Sequence, residues 1–505
     1  MYNRQRSFTL ICFLSLFLYR GLAQSNATAD SIHTLVVFFD GLRPDYITPE
    51  TMPNVFAFSQ RGAYGKQHHS VFPTVTRVNA SSYATGSYPA KNGLMGNTIY
   101  FPEVDKTKGL NTGEASELNR VTVATHGQLL TSVSIGELLA AAGKQMMVFS
   151  SGSTGSTLLQ NHTMSGGITI NPDMILPASF KQQLVTEIGE IPAADKAKDK
   201  QNVWVTDAII RYALKADGPM LSSIWYTNPD HTAHSEGIGS VPAMASIKAA
   251  DEQFGRIIDD LQKKGLTNSF NIIITADHGF VSHKGTNGVA DFLIQQGLKK
   301  NKESEDVVIA EGAIYVKDHN EAVITSIVTA LQAQPWVGSI FTKAATPGGN
   351  TGWVNGTVSF DAIHWNHPQR AADILVSYNW DDDKNAAGYA GYSYSRGVAG
   401  HGNFSPYEVH IALLAAGPSF RKNFSSELPT SNVDIVPTIL HIHHLAVPTN
   451  MDGRVMVELL RETGSKQNDR PIKEIIKTSA KIKGGLYEME VYRTKLGKYI
   501  YIDYS

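Results

Sequence analysis

Short apolar runs alternate along the chain with longer segments of helical spacing. Thr34 to Phe39 is an apolar, β-branched run that stops at Asp40-Gly41, the pattern of a buried strand with a carboxylate at its C-terminal end. Similar runs occupy Met146–Ser150, Leu221–Tyr226, Asn271–Thr275, Ala372–Tyr378 and Val409–Ala415. Between them, Ser134–Ala142, Trp204–Leu214, Ala243–Lys264, Glu321–Gln332 and Val433–Leu445 repeat apolar residues with a helical period. The first opens with Ser134 and Glu137, the spacing of a capping box. The alternation predicts a three-layer α/β/α sandwich around a largely parallel central sheet. Ligands of such sheets sit beyond the carboxyl ends of the strands. Asp40, Asp230 after Tyr226, and Asp277-His278 after Thr275 fall there. From about 348 to 402 the chain is rich in Gly, Asn, Trp and Tyr, and predicts loops over a site, interrupted by the 372–378 strand.

The first residues have a different character. Arg4 and Arg6 precede a twelve-residue, mostly apolar run from Phe8 to Tyr19, and Gly21-Leu22-Ala23 follows. Basic, apolar, small is the order of a signal peptide over 1–23, and twelve residues are too few to span a bilayer. The expectation is a secreted or periplasmic protein whose mature chain starts near Gln24. The single cysteine, Cys12, lies in that run, so the mature chain can build no internal disulfide and no thiolate metal site. No later run of about 18 apolar residues occurs, so no transmembrane segment is expected in the mature chain. With 44 Lys+Arg against 46 Asp+Glu, nucleic-acid binding through bulk charge is excluded. A 42% hydrophobic content is ample for a core.

The candidate chemistry lies in Asp and His spacing. Asp230 and His234 stand four apart, so on a helix both face one side and can meet one cation. An N-cap Asp with exposed histidines would give the same pattern. In Ala276-Asp277-His278-Gly279 a sharp turn at Gly lets two neighbouring side chains enter one cleft, as an ordinary turn also could. His401 lies between Gly400 and Gly402, which permit close approach. Three Asp and three His are the inventory for two divalent cations with mixed N/O ligands, and imidazole without thiolate favours Zn²⁺ over Mn²⁺ or Fe²⁺. Phe72-Pro73-Thr74-Val75-Thr76-Arg77-Val78-Asn79 runs from a loop into a helix that continues to about Gly86. A Thr at that position sets its hydroxyl beside free N–H groups and the positive end of the helix dipole, which suits an attacking oxygen that must then hold a phosphoryl group. A plain Thr N-cap is the alternative.

These residues resemble the alkaline phosphatase superfamily, in particular its nucleotide pyrophosphatase/phosphodiesterase branch. The resemblance rests on 39–46 (Phe-Asp-Gly-Leu-Arg-Pro-Asp-Tyr), Phe72-Pro73-Thr74-Val75-Thr76, Thr85-Gly86-Ser87-Tyr88-Pro89, 92–97, Asp230 with His234, Asp277-His278-Gly279 and His401-Gly402, in matching order and spacing. It covers nearly the whole mature chain and implies one alkaline-phosphatase-like catalytic domain over 31–505, acting on a small phosphate ester. It further implies that Asp230, His234 and His401 hold one zinc, and Asp40, Thr76, Asp277 and His278 a second. Thr76 would be the nucleophile and form a phospho-threonine. Asn97 and the amide after Thr76 would donate to the phosphoryl oxygens.

The chain also departs from the branch. Where its nucleotide-cleaving members carry an aromatic residue after the nucleophile, this chain has Arg77, which can stack on a base or pair with a second phosphate or a carboxylate. Ser150-Ser151-Gly152-Ser153-Thr154-Gly155 offers no Lys–Arg pair of the kind used by monoester-specific relatives, and Thr76-Arg77-Val78-Asn79-Ala80 is not a sulfatase signature. Phosphodiester hydrolysis is the reading; phosphomonoester hydrolysis and a non-catalytic metal-binding surface protein are the alternatives. His68-His69, His441, His443 and His444 are expected on surfaces or helix faces, and His364 to His367 in loop packing. Of the Asn-x-Ser/Thr sites at Asn26, Asn79, Asn161, Asn355, Asn403 and Asn423, Asn79 is expected to lie too near the site for a glycan.

Overall fold

Every residue of His33–Phe39 is buried, because this strand runs through the middle of a sheet covered on both faces. The computed structural model describes residues 32–164, 167–461 and 469–505. The amino-terminal expectations for 1–23, Cys12 and Asn26 lie outside them. Ten strands make the main sheet: β1 (His33–Phe39), β2 (Ala63–His69), β3 (Met146–Ser150), β4 (Gly167–Asn171), β5 (Met174–Leu176), β6 (Leu221–Tyr226), β7 (Phe270–Thr275), β8 (His410–Ile411), β9 (Leu413–Ala416) and β10 (Phe424–Ser431). Their order is β8-β2-β9-β7-β1-β6-β3-β4-β5, with β10 beside β2. The centre is parallel: β1 pairs β6 from Thr34–Leu221 to Phe39–Tyr226, and β7 from His33–Phe270 to Phe38–Thr275. On one side β9 is antiparallel to β7, β2 to β9 and β8 to β2, and on the other β5 is antiparallel to β4.

The helices that bear on the site are α1 (Thr76–Thr85), α2 (Ile135–Ala141), α3 (Asp199–Tyr212), α4 (Asp230–Glu236), α5 (Val241–Lys263) and α6 (Ile435–Ile442). Side chains of β1 alternate between two cores, as the two-residue period of a strand requires. Val36 and Phe38 pack with Ala80 and Tyr83 of α1, Leu139 of α2 and Ile439 of α6. Leu35, Val37 and Phe39 pack with Val205 and Ile209 of α3 and Ile247, Phe254 and Ile257 of α5. Helix, sheet, helix is the resulting layering. The Ser134–Glu137 capping box forms, with Ser134 N–H donating to Glu137 Oε2 at 2.8 Å.

Four expectations are corrected. The 372–378 run becomes Ile374–Tyr378 in a separate five-stranded sheet with Val307–Ala310, Ala313–Val316, Val337–Thr342 and Val358–Ser359, so it is no part of the main sheet. The 409–415 run breaks at Ala412 into β8 and β9, which both pair with β2, while β9 alone also pairs with β7. The region 348–402 contains further short strands, among them Trp380–Lys384 and Ala390–Ser393 in a four-stranded sheet. His68, His69 and His443 are buried, not surface residues. His68 meets Thr430 Oγ1 at 2.8 Å and Asn432 Oδ1 at 3.2 Å, and His69 meets Asp503 Oδ1 at 3.0 Å.

The carboxyl-terminal strands Ile472–Ile482, Gly485–Leu496 and Tyr499–Tyr504 form a meander that the apolar-run criterion passes over. A buried polar cluster ties it to the main body. Arg454 donates to Glu458 at 2.6 and 2.9 Å, to the Pro429 carbonyl at 2.8 Å and to the Tyr501 hydroxyl at 3.0 Å, and that hydroxyl donates to Asp434 at 3.0 Å. Removing one partner of a buried ion pair strands the other. Arg454→Ala is therefore expected to cost about 3–5 kcal/mol, read as a lowered unfolding transition, against about 1 kcal/mol for Tyr501→Phe.

Candidate metal centre and nucleophile

Asp40, Asp230 and Asp277-His278 each follow the C-terminal end of a central strand, β1, β6 and β7, so the parallel pairing brings them together. Gly41 makes the first turn possible. Its φ is 73°, and a Cβ there would lie 3.2 Å from the Asp230 Cα. Its N–H donates to Asp277 Oδ1 at 3.0 Å, and the Asp40 carbonyl accepts from the Asp230 N–H at 2.9 Å. Asp40 Oδ2 accepts from the Trp225 indole at 2.9 Å, and the Trp225 ring stacks on Phe38 at 4.3 Å. Asp230 is the first residue of α4 and follows Pro229, so it is no N-cap; His234 lies one turn on, with Nε2 3.1 Å from Asp230 Oδ1.

The three histidines share one construction. His234 Nδ1 donates to the Ala399 carbonyl at 3.1 Å, His278 Nδ1 to that of Gly279 at 2.9 Å, and His401 Nδ1 to that of Thr74 at 2.7 Å. Each bond fixes the tautomer and turns the Nε2 lone pair inward. Those atoms meet carboxylates: His401 Nε2 is 3.3 Å from Asp230 Oδ1, and His278 Nε2 is 3.1 Å from Asp277 Oδ2 and 3.5 Å from Asp40 Oδ1. Lone pair against carboxylate is repulsive unless a proton or a metal cation lies between. Asp40 Oδ1, Asp230 Oδ1 and Asp277 Oδ2 are buried with no hydrogen-bond partner among the described residues. The donor set fits a metal. Asp230, His234 and His401 converge within 4.8 Å of one another, as do Asp40, Asp230 and His278, with Asp230 common to both groups. His234 is 45% exposed, whereas His278 is fully buried, so the first group opens to solvent and the second closes the floor.

Thr76 stands beside this centre. Val75, in extended conformation, is the N-cap of α1, so Thr76 is the first helical residue and not the cap. Its Oγ1 lies 3.2 Å from His278 Nε2. The preceding turn is laced to the His401 loop: Thr74 Oγ1 donates to the Asn403 carbonyl at 2.8 Å and accepts from Gly402 N–H at 3.1 Å.

The sequence pattern of the family described as type I phosphodiesterase / nucleotide pyrophosphatase matches residues 34–381. The chain belongs to this family. With it, the chain is a metal-dependent phosphoric ester hydrolase. It is 22% identical over 444 residues to bis(5'-adenosyl)-triphosphatase enpp4 of Xenopus laevis, covering 86% of this chain and 82% of the relative. It is 23% identical over 425 residues to human ectonucleotide pyrophosphatase/phosphodiesterase family member 5, covering 83% and 76%. A venom phosphodiesterase of Crotalus durissus collilineatus is 25% identical over 266 residues, only 27% of its own length. Among solved structures, inactive murine ectonucleotide pyrophosphatase/phosphodiesterase 5 in complex with AMP has the same fold, with TM-score 0.60 and 20% identity over 85% of this chain and 100% of that one.

In this phosphodiesterase-family chain Asn97 lies across from the start of α1. Its Oδ1 accepts the Arg77 N–H at 3.0 Å. The amide after Thr76, expected to face a phosphoryl group, is therefore already engaged; Asn97 Nδ2 has no partner among the described residues. The half-buried Arg77 side chain lies along Gly113, and its Nε is buried without a partner. His364 stacks on Tyr88 and His367 Nε2 meets Thr131, so both pack loops. Asn79 is fully buried and holds the Val71 backbone, which closes it to a glycan. Sequence reasoning missed Trp225, Thr74 and His283. His283 packs against Gly400 beside His234, where only a glycine leaves room for both rings. Their roles depend on pairings that no local pattern encodes. No helix among the described residues is long and apolar enough to cross a membrane.

The charges predict a pH response. Burial, then Asp277 and Asp230, hold the Asp40 carboxyl far above its ordinary value. Burial opposes charge on His234 and His278, but Asp230 and Asp277 outweigh it and raise both imidazoles. Burial, then the stacked His278, pushes His401 down to about 4. In the metal-free protein His234 and His278 thus keep protons to higher pH than free imidazole, and a cation must displace them. Zinc affinity measured by chelator competition should rise between about pH 6 and pH 8. His278→Ala should flatten that slope, whereas His401→Ala should weaken binding and keep it.

Proposed function

We propose that the chain is an exported, zinc-dependent hydrolase of phosphate diesters, nucleotide pyrophosphates included, that works through a phospho-threonine on Thr76. The observation that carries this reading is the Thr76 hydroxyl, 3.2 Å from His278 Nε2 at the start of α1, beside five converging Asp and His residues and Asp277, which meets His278. Asp230, His234 and His401 would hold one zinc, and Asp40, Asp277, His278 and the Thr76 oxygen the other. When bound, zinc supplies Lewis-acid activation and charge compensation at the phosphoryl group. Thr76 Oγ1 would pass its proton to water and form a bond to phosphorus as the bond to the leaving oxygen breaks, and that oxygen would take a proton back from water. Water then cleaves the phospho-threonine and restores the hydroxyl. Asn97 Nδ2 donates to a non-bridging oxygen, a donor set in place before charge develops. Arg77, whose charge reaches His234, would pair with a further anionic group on the substrate.

The relatives' printed names, a bis(5'-adenosyl)-triphosphatase and venom phosphodiesterases, support diester and anhydride substrates. The basic-apolar-small order of 1–23 supports export of a domain that begins near residue 31.

Thr76→Ala is expected to lower kcat on an aryl phosphodiester by at least about a thousand-fold, with zinc still bound by elemental analysis. Thr76→Ser should keep measurable turnover, and rapid quench of the native enzyme should find phosphate on Thr76. Near-native hydrolysis by Thr76→Ala would refute the covalent route. A parallel assay of aryl monoester, diester and sulfate should give the diester the highest kcat/KM; a monoester preference would move the reading to a phosphatase.

A further inference from the structure

The hairpin Val307–Ala310/Ala313–Val316 of the five-stranded sheet turns through Glu311 and Gly312. Two-residue hairpin turns favour Gly, Asn or Asp where φ is positive. Glu311 has φ 56°, in the left-handed region that a long side chain seldom enters. A glycine would serve the turn better, so the side chain is what the position gains. It reaches across to the main body, where Glu311 Oε2 accepts the Asn97 N–H at 3.0 Å and the Thr98 amide also bonds the carboxylate. Gly96 leaves room for this: a Cβ there would stand 3.2 Å from Glu311 Oε2 and 2.9 Å from the Thr98 carbonyl.

Asn97 is thereby fixed at every polar group but one. Glu311 takes its N–H. Thr112 holds its carbonyl twice, through N–H at 2.9 Å and Oγ1 at 2.7 Å. Its Oδ1 is bound by the Arg77 amide; because a backbone N–H can only donate, the atom facing it is the oxygen, and Nδ2 points away. Burial raises the Glu311 carboxyl, and the Arg77 charge and the Asn97 and Thr98 amides act against that rise.

We propose that Glu311 is a positioning residue for the hydrolytic site: delivered by a second sheet on a left-handed turn, it locks the Asn97 backbone so that Nδ2 is presented to the phosphoryl group. This rests on the reading of Asn97 as a phosphoryl contact.

A double-mutant cycle tests it on the zinc-loaded enzyme, with kcat on an aryl diester and affinity for inorganic phosphate by calorimetry as separate readouts. Asn97→Ala should lower kcat about 100-fold or more and Glu311→Ala about 10- to 100-fold. The double variant should be no worse than Asn97→Ala within about two-fold, because Glu311 acts only through Asn97. Glu311→Gln keeps a carbonyl oxygen for the amide and should stay within about three-fold of native. Phosphate affinity should follow the same pattern. Multiplying losses in the double variant, a Gln variant as poor as Ala, or a silent Asn97→Ala would each overturn the proposal. If the native protein hydrolysed no diester, the functional reading would fail, and the phosphate-affinity cycle would still decide the role of Glu311.

Discussion

Asp40, Asp230 and Asp277 each turn a buried, partnerless carboxylate oxygen toward the same small space, and like charges so placed repel in a medium far less polar than water. The rest of the site answers that repulsion. Three imidazoles, each oriented by a backbone carbonyl, bring in nitrogen atoms that either carry protons or bind cations. The register of the main sheet, Phe39 beside Tyr226 and Phe38 beside Thr275, brings the three strand ends and their carboxylates together. The arrangement is unfavourable alone and is relieved by a proton or a metal cation between the groups.

Thr76 is tied to the same centre through the turn that precedes it. Thr74 accepts from His401 Nδ1 with its carbonyl and holds Gly402 and Asn403 with its hydroxyl. Two residues on, Thr76 begins α1, whose body packs into the core through Ala80 and Tyr83. The hydroxyl is thus placed by a helix anchored at one end in the core and at the other in a ligand loop.

How much of this was legible in the sequence follows from where each signal is stored. The central strands could be read because strands buried on both faces must be apolar throughout; 34–39, 221–226 and 271–275 differ from their observed bounds by a residue at most. The cluster of Asp and His side chains could be read because Asp230 and His234, Asp277 and His278, and the Gly-flanked His401 are local patterns. What was not legible is stored in pairings between distant residues. His68 and His69 look like a polar surface pair until Thr430, Asn432 and Asp503 supply their partners. The carboxyl-terminal meander alternates exposed and buried positions, so no unbroken apolar run announces it. Ala372–Tyr378 has the composition of a main-sheet strand, and only its pairing with 313–314 and 337–342 assigns it elsewhere. The tie from Glu311 to Asn97 spans 214 positions and leaves no trace in either segment.

The lacing of Thr74 to the His401 loop has a consequence for how such a site can diversify. The Thr76 hydroxyl and the His401 loop form one mechanical unit, so a change in either perturbs both. Arg77, whose side chain lies outside that unit along Gly113, can change with the unit intact. The rim is in this way free to vary while the floor, where Thr76 meets His278, is held still.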